Sequence, residues 1–188
     1  MGSKTNDTLT RTSRFLSYIL RHHPESVGLT LDSEGWADVA VLLDCAQRHG
    51  RPVSRELLQQ VVDTNDKKRF TLSDDGCRIR AAQGHSTAQV AIEYAPRTPP
   101  VTLYHGTATR FLDAIAAQGL LPGSRHHVHL SADVPSAAKV GSRHGKPAVL
   151  AVDAAAMQRD GLKFYLSDNG VWLTDSVPPQ YLRPIGTA

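Results

Sequence analysis

Arg21 and His22 close the apolar run "LSYILRHHP" (16–24), placing cationic and titratable groups at the last turn of a helix that a proline ends. Basic side chains there complement the negative end of the helix dipole, and a following proline is an ordinary stop, so capping alone explains them. The chain has no polybasic tract. An anionic partner would therefore have to be held by a few placed arginines rather than by phosphate count. Two more arginines stand out. Arg69 precedes Phe70 in "NDKKRFTL"; on a strand one of the pair faces inward, leaving Arg69 at the surface or turned towards the other half of the chain. Arg143 and Lys146 occupy the Gly-flanked turn "VGSRHGKP", which by itself reads as a solvated loop.

Histidine carries the other chemistry. Five of the nine histidines lie between 105 and 144. "RHHVHLS" puts His127 and His129 on one face of a strand, but tetrahedral zinc needs two further ligands, and this half has no cysteine and no helical His pair. No metal site is expected; one histidine of the pair is packed and the other hydrogen-bonded. His105-Gly106-Thr107 follows a strand, where glycine lets a ligand approach backbone closely. Neither a dinucleotide fingerprint nor a P-loop is present, so a dinucleotide would need another architecture.

Periodicity supplies the elements that must position these groups. Residues 8–22 read as a helix with Leu9, Phe15, Leu16, Ile19 and Leu20 inward. "VGLTLD" (27–32) alternates and predicts a strand. Asp38 caps a helix ended by Gly50, and Ser54 caps the next. "KRFTL" and "CRIRA" around "SDDG" predict a β-hairpin. Helices followed by a hairpin suggest a winged-helix-like domain over 1–94. "EYAPRTPP" supplies a Pro-rich linker at 95–100. Beyond it, 101–188 alternates strands ("VTLY", "HVHLS", "PAVLAVD", "KFYLS", "GVWLT") with two short helices, one over about 108–118 and one capped by Asp133. An Asn-Gly turn leads into a buried Trp172. The fold class is α+β.

At 188 residues and 40% hydrophobic, the composition is that of a soluble globular protein. No run approaches the ~18–20 apolar residues of a membrane span, and "MGSKTNDTLTRTSR" lacks a signal-peptide core. Cys45 and Cys77 form no disulfide framework, so the expected location is cytoplasmic. No long heptad pattern appears, so a monomer is expected. Basic and acidic residues balance over 1–94, and the whole +3 excess falls in 95–188.

Taken together, "LSYILRHHPESVGLTLDSEGWADVAVLL", "NDKKRFTL", "AAQGHS", "LYHGT", "HVHLS", "VGSRHGKPAVLAVDA" and "NGVWLTDSVPPQYL" resemble the NAD-dependent RNA 2′-phosphotransferase family, from about Ser13 to Leu182. The resemblance implies an N-terminal winged-helix RNA lobe and a C-terminal lobe of the ADP-ribosyltransferase type. It implies removal of an internal 2′-phosphate from RNA, typically the splice-junction phosphate of tRNA, with NAD+ consumed as co-substrate and no metal. Arg21, His22, Arg69 and Arg143 match the family's essential set, which would hold the phosphate in a cleft between lobes. His105, His129 and Val171 occupy the three-part ADP-ribosyltransferase signature. His105 would hold the NAD ribose and the Gly106 backbone the nicotinamide carboxamide, with Thr107, Arg125 and Ser131 as further contacts. Val171 stands where protein-modifying relatives usually carry glutamate, which argues against efficient protein ADP-ribosylation. Two rivals remain: an ADP-ribosyltransferase acting on a nucleic-acid 5′-phosphate end or a protein, and a non-catalytic winged-helix binding module.

Overall fold

The computed structural model describes residues 2–65, 67–87 and 89–185. The chain divides into two compact units, Met1–Glu93 and Tyr94–Ala188. Helices and small antiparallel sheets make it an α+β protein. No helix among the described residues is long and apolar enough to cross a membrane.

In the first unit, helix α1 (Gly2–Arg21) buries Phe15, Leu16, Ile19 and Leu20 and stops at the predicted place, though it begins earlier than its apolar periodicity does. The N–H groups of His22 and His23 both donate to the Tyr18 carbonyl at 3.0 Å, and Pro24 then opens a 3-10 turn, Pro24–Val27. Strand β1 (Trp36–Asp38) leads into α2 (Val39–Arg48), with the Asp38 carboxylate accepting from the Val41 N–H at 3.0 Å. Ser54 caps α3 (Arg55–Asp63) in the same way. Strands β2 (Phe70–Leu72) and β3 (Arg78–Ala81) form the predicted hairpin, and the sheet runs β1-β3-β2.

The expected strand over 27–32 is not there. Val27, Leu29 and Leu31 are buried, so the alternation is real. The backbone groups are used locally instead. Leu29 N–H donates to the Pro24 carbonyl and Asp32 N–H to that of Trp36, both at 3.0 Å. The Asp32 carboxylate accepts from the N–H groups of Glu34 and Trp36. An extended segment laid on a core shows period two without belonging to a sheet. The strand in this region is instead Trp36–Asp38, too short to show a period.

The second unit holds two three-stranded antiparallel sheets. One comprises β4 (Thr102–Ala108), β6 (Pro147–Asp153) and β9 (Leu182–Ile185), ordered β4-β6-β9. The other comprises β5 (Val128–Leu130), β7 (Tyr165–Leu166) and β8 (Trp172–Thr174), ordered β5-β8-β7. They meet where Tyr104 and Ser131 exchange backbone hydrogen bonds of 2.9 and 2.8 Å. Helices α4 (Leu112–Gln118, after a 3-10 turn at Thr109–Phe111), α5 (Val134–Gly141) and α6 (Ala154–Arg159) accompany a core of Leu103, Leu130, Leu150, Val152, Met157, Phe164 and Val177.

Several expectations need correction here. Three helices replace the expected two; α6 is capped by Asp153, which the sequence reading assigned only to a strand. His105-Gly106-Thr107 lies inside β4 rather than after it. Trp172 is half-buried. Strand β9 carries Pro184, which is tolerated because β9 is the edge of its sheet. The Pro-rich segment is docked: Arg97 N–H donates to the Phe164 carbonyl at 2.8 Å and Pro99 is buried.

Candidate active site

The first unit gathers its basic groups around the segment after β3. The Ser86 N–H donates to the Arg21 carbonyl at 2.9 Å, and the Ser86 hydroxyl lies 2.9 Å from His22 Nδ1. One residue thus fastens both ends of the helix-terminal pair. Gly84, in the left-handed region at φ +86°, brings backbone alongside the Arg21 side chain; a Cβ there would stand 3.9 Å from Arg21 Cδ. Arg69 precedes β2 by one residue and extends its ladder, accepting from the Ala82 N–H at 2.9 Å. Arg21, His22 and Arg69 therefore all border the same short segment, 82–86, and all three are half-buried.

Arg69 is placed by a tight turn. Lys68 holds φ +41°, uncommon for a side-chain-bearing residue, and its N–H donates to the Asn65 carbonyl at 2.7 Å. The Asn65 side chain then acts as a clasp. Its Oδ1 accepts from Arg69 Nη1 at 2.9 Å and from the Lys67 N–H at 3.2 Å, and its Nδ2 donates to Ser13 Oγ on α1 at 3.1 Å. Sequence reasoning quoted Asn65 and Ser86 within motifs but gave them no role. An asparagine just after a helix and a serine two residues beyond a glycine signal turns, not clasps.

In the second unit the geometry turns on backbone alternation. Thr109 N–H donates to the Lys146 carbonyl at 2.9 Å, continuing the β4–β6 register, so odd-numbered residues of β4 bond to β6. Tyr104 faces the opposite edge, where it meets Ser131. Gly106, two residues on, directs its N–H and C=O to that same edge. Its missing side chain has a separate cause: a Cβ would overlap the Ala137 carbonyl oxygen of α5. Glycine here lets a helix press against the strand, and the backbone edge remains for recognition. Thr107 is buried, and Ser131 is half-buried with its backbone committed to Tyr104.

The histidines are held in defined tautomers. His105 Nδ1 lies 3.1 Å from the His129 carbonyl, so Nδ1 carries the proton and Nε2 is an acceptor. Arg125 Nη1 donates to His129 Nδ1 at 3.1 Å, so the His129 proton is on Nε2. Burial holds His105 below the ordinary histidine pKa, outweighing its hydrogen bond to His129, and the charges of Arg125 and His144 push the same way. His105 is therefore neutral near pH 7. Arg125 is itself lowered by desolvation and by Arg143. A neutral acceptor–donor pair thus stands among mutually repelling cations.

His127 goes elsewhere. It packs edge-on against Tyr165 and Tyr94 at 5.5 and 6.2 Å between centroids and lies 3.7 Å from Asp175. Val171 closes the β7–β8 hairpin. Its N–H donates to the Ser167 hydroxyl and its carbonyl accepts from the Ser167 N–H, both at 3.0 Å, with Ser167 buried.

The sequence matches the family described as RNA 2′-phosphotransferase, Tpt1 / KptA family over residues 7–176. It is 60% identical over 176 residues to "Probable RNA 2′-phosphotransferase" of Pseudomonas aeruginosa strain PAO1, covering 94% of this chain and 97% of that one. It is 59% identical over 170 residues to the protein of that name from Pectobacterium carotovorum subsp. carotovorum strain PC1, covering 90% and 91%. Against "RNA 2′-phosphotransferase" of Escherichia coli strain K12 it is 56% identical over 183 residues, covering 97% and 100%.

Proposed function

The chain belongs to the RNA 2′-phosphotransferase, Tpt1 / KptA family and is a transferase acting on an RNA 2′-phosphate, and we propose that NAD+ is the co-substrate that takes the phosphate. In this reading the first unit is a winged-helix-like RNA lobe and the second an ADP-ribosyltransferase-like NAD+ lobe. The observation that supports NAD+ best is His105. Its neutral ring, locked through Nδ1 by the His129 carbonyl, presents Nε2 as an acceptor suited to a ribose hydroxyl. The outward N–H and C=O of Gly106 match the donor–acceptor pair of a carboxamide. Arg125 would supply positive charge for the NAD+ diphosphate.

The reaction then has two steps. A 2′-phosphate oxygen attacks C1″ of the nicotinamide ribose; the C1″–N bond breaks and its electron pair leaves with nicotinamide. The ribose O2″, losing its proton, next attacks phosphorus; the P–O2′ bond breaks and O2′ is protonated. The products are 2′-OH RNA and ADP-ribose 1″,2″-cyclic phosphate. A phosphomonoester carries about −1.5 to −2 charges near pH 7. Arg21, Arg69 and Arg143 are permanently charged, bidentate ligands for it. His22, whose Nδ1 is held by Ser86, would take the hydroxyl proton or hydrogen-bond a ribose hydroxyl. The phosphate nucleophile arrives ionised, so Val171 can stand where a carboxylate base would otherwise be needed.

The test is incubation with NAD+ and an RNA bearing one internal 2′-phosphate. Expected products are 2′-OH RNA, nicotinamide and the cyclic phosphate. Phosphate removal that proceeds equally without NAD+ would overturn the co-substrate. ADP-ribose added to an RNA 5′ end or to protein, with the 2′-phosphate retained, would favour the rival transferase.

A further inference from the structure

Tyr18 is 47% exposed, a large aromatic ring left in solvent on a helix whose other large apolar groups nearby are buried. Its spacing is informative. Tyr18 and Arg21 stand at i and i+3 on one face of α1, and His22, just past the helix, still donates its N–H to the Tyr18 carbonyl at 3.0 Å. The ring is also held. It packs against the imidazole of His23 at 4.9 Å between centroids and 34° between planes. His23 is fixed in turn by Glu25, 3.0 Å from its Nδ1. Both the Tyr18 and His23 side chains remain largely open to solvent.

Capping does not need this arrangement. A helix end is satisfied here by Tyr18's backbone carbonyl, which already accepts two N–H groups, and by Pro24. An exposed ring held in place beside Arg21 is instead suited to a flat, apolar-faced, anion-linked ligand. Single-stranded RNA offers that combination, because each base has a stacking face and sits within a few ångströms of its ribose.

We propose that Tyr18, braced by His23, is a stacking platform for a nucleobase of the RNA adjoining the 2′-phosphate. This rests on the reading of Arg21 and His22 as groups that engage that phosphate. The platform would orient the phosphorylated ribose without choosing among bases, since stacking is tolerant of sequence.

The test is a coupling cycle on the full chain. Direct binding is measured between protein and a 2′-phosphorylated oligonucleotide without NAD+, for wild type, Tyr18→Ala and Tyr18→Phe. The RNA carries either all its bases or one abasic site, at the phosphorylated nucleotide or at either neighbour. Tyr18→Ala should weaken binding about tenfold on the intact RNA, and Tyr18→Phe should stay near wild type. An abasic site at one of the three positions should weaken the wild type by a similar factor and cost Tyr18→Ala nothing further. KM for NAD+ and the unfolding midpoint should not move. Additive losses at all three positions, or equal affinities of wild type and Tyr18→Ala, would overturn the platform. Wild-type turnover of the same RNA with NAD+ is scored separately: its absence would count against the proposed reaction, whereas binding alone decides the platform.

Discussion

The two clusters handle positive charge in opposite ways. In the first unit, Asn65 clasps Arg69 and Ser86 holds His22, so neutral side chains orient both groups. In the second, Arg143 lowers Arg125, and Arg125 with His144 adds to the burial that holds His105 below its ordinary value. The first arrangement keeps guanidinium groups fully charged in fixed positions, which suits a dianionic phosphate. The second concentrates positive potential and uses it, with burial, to keep His105 neutral as an acceptor. On the proposed reading, the same residue types would serve charge recognition in one unit and hydroxyl recognition in the other. The whole net charge of +3 falling in residues 95–188 fits a site left unbalanced until an anionic ligand arrives.

The largest effect should come from removing one of the arginines proposed to bind phosphate. In the proposed first step the phosphate would be a nucleophile, and arginine contact would temper it. In the second it would be the electrophile, with charge building on its non-bridging oxygens. Arg69→Ala and Arg143→Ala should therefore slow the second step by roughly 10²–10³, more than the first. RNA-2′-phospho-ADP-ribose should accumulate in a single-turnover time course resolved by gel. If both variants stop before that species forms, the arginines act in binding or in the first step, and the division of labour argued here fails.

The two clusters were also unequally legible in the sequence. Arg21 and His22 could be placed because α1 ends where its apolar pattern and Pro24 say it must. Arg69 could be placed because a hairpin signal fixes β2 to β3. Their clasps could not, because Ser86 reaches His22 across 64 residues, and Asn65, four residues from Arg69, is itself tied to Ser13 across 52. In the second unit His105 and His129 were visible as residues, but their tautomers depend on a carbonyl and a guanidinium that only the folded β4–β5 junction supplies. Gly106 was read as the end of a strand, while its cause is the pressure of α5 on a strand interior. Local signals located these elements; contacts between distant segments gave the side chains their chemical state.

His105→Ala should affect only the NAD+ side. Losing a hydrogen-bond acceptor for the ribose should raise KM for NAD+ about tenfold, with the affinity for 2′-phosphorylated RNA unchanged. Steady-state kinetics in NAD+ and direct RNA binding separate the two. A weakened RNA affinity with normal NAD+ binding would reverse the assignment of roles. Asn65→Ala should be milder, about fivefold, because it frees Arg69 rather than removing it. Its signature is partial accumulation of the same intermediate as in Arg69→Ala. An Asn65→Ala enzyme that is less stable yet shows wild-type partitioning between the two steps would make the clasp purely structural.

The smallest effect is the pH response, and its sign follows from the second cluster. Burial, Arg125 and His144 hold His105 below its ordinary value of 6.5. Between that value and the depressed one, the unfolded chain binds more protons than the folded protein. The contribution of neutral His105 to stability is then complete above about pH 6.5 and is lost as pH falls through the folded value. NAD+ affinity should follow the same course, since protonation removes the Nε2 acceptor. Across about pH 6.5–8 the change should be less than twofold. Arg125→Gln removes one of the repelling charges, so the His105 midpoint should move up towards the ordinary value. The move should be partial, because burial is the larger cause. An NMR titration of the His105 ring in wild type and Arg125→Gln reads this directly, without relying on activity. RNA affinity, which the proposal assigns to the first unit, should show no matching shift. A midpoint that stays fixed or falls in Arg125→Gln would mean that burial alone keeps His105 neutral, and the second cluster's repulsion would then serve only to attract the ligand.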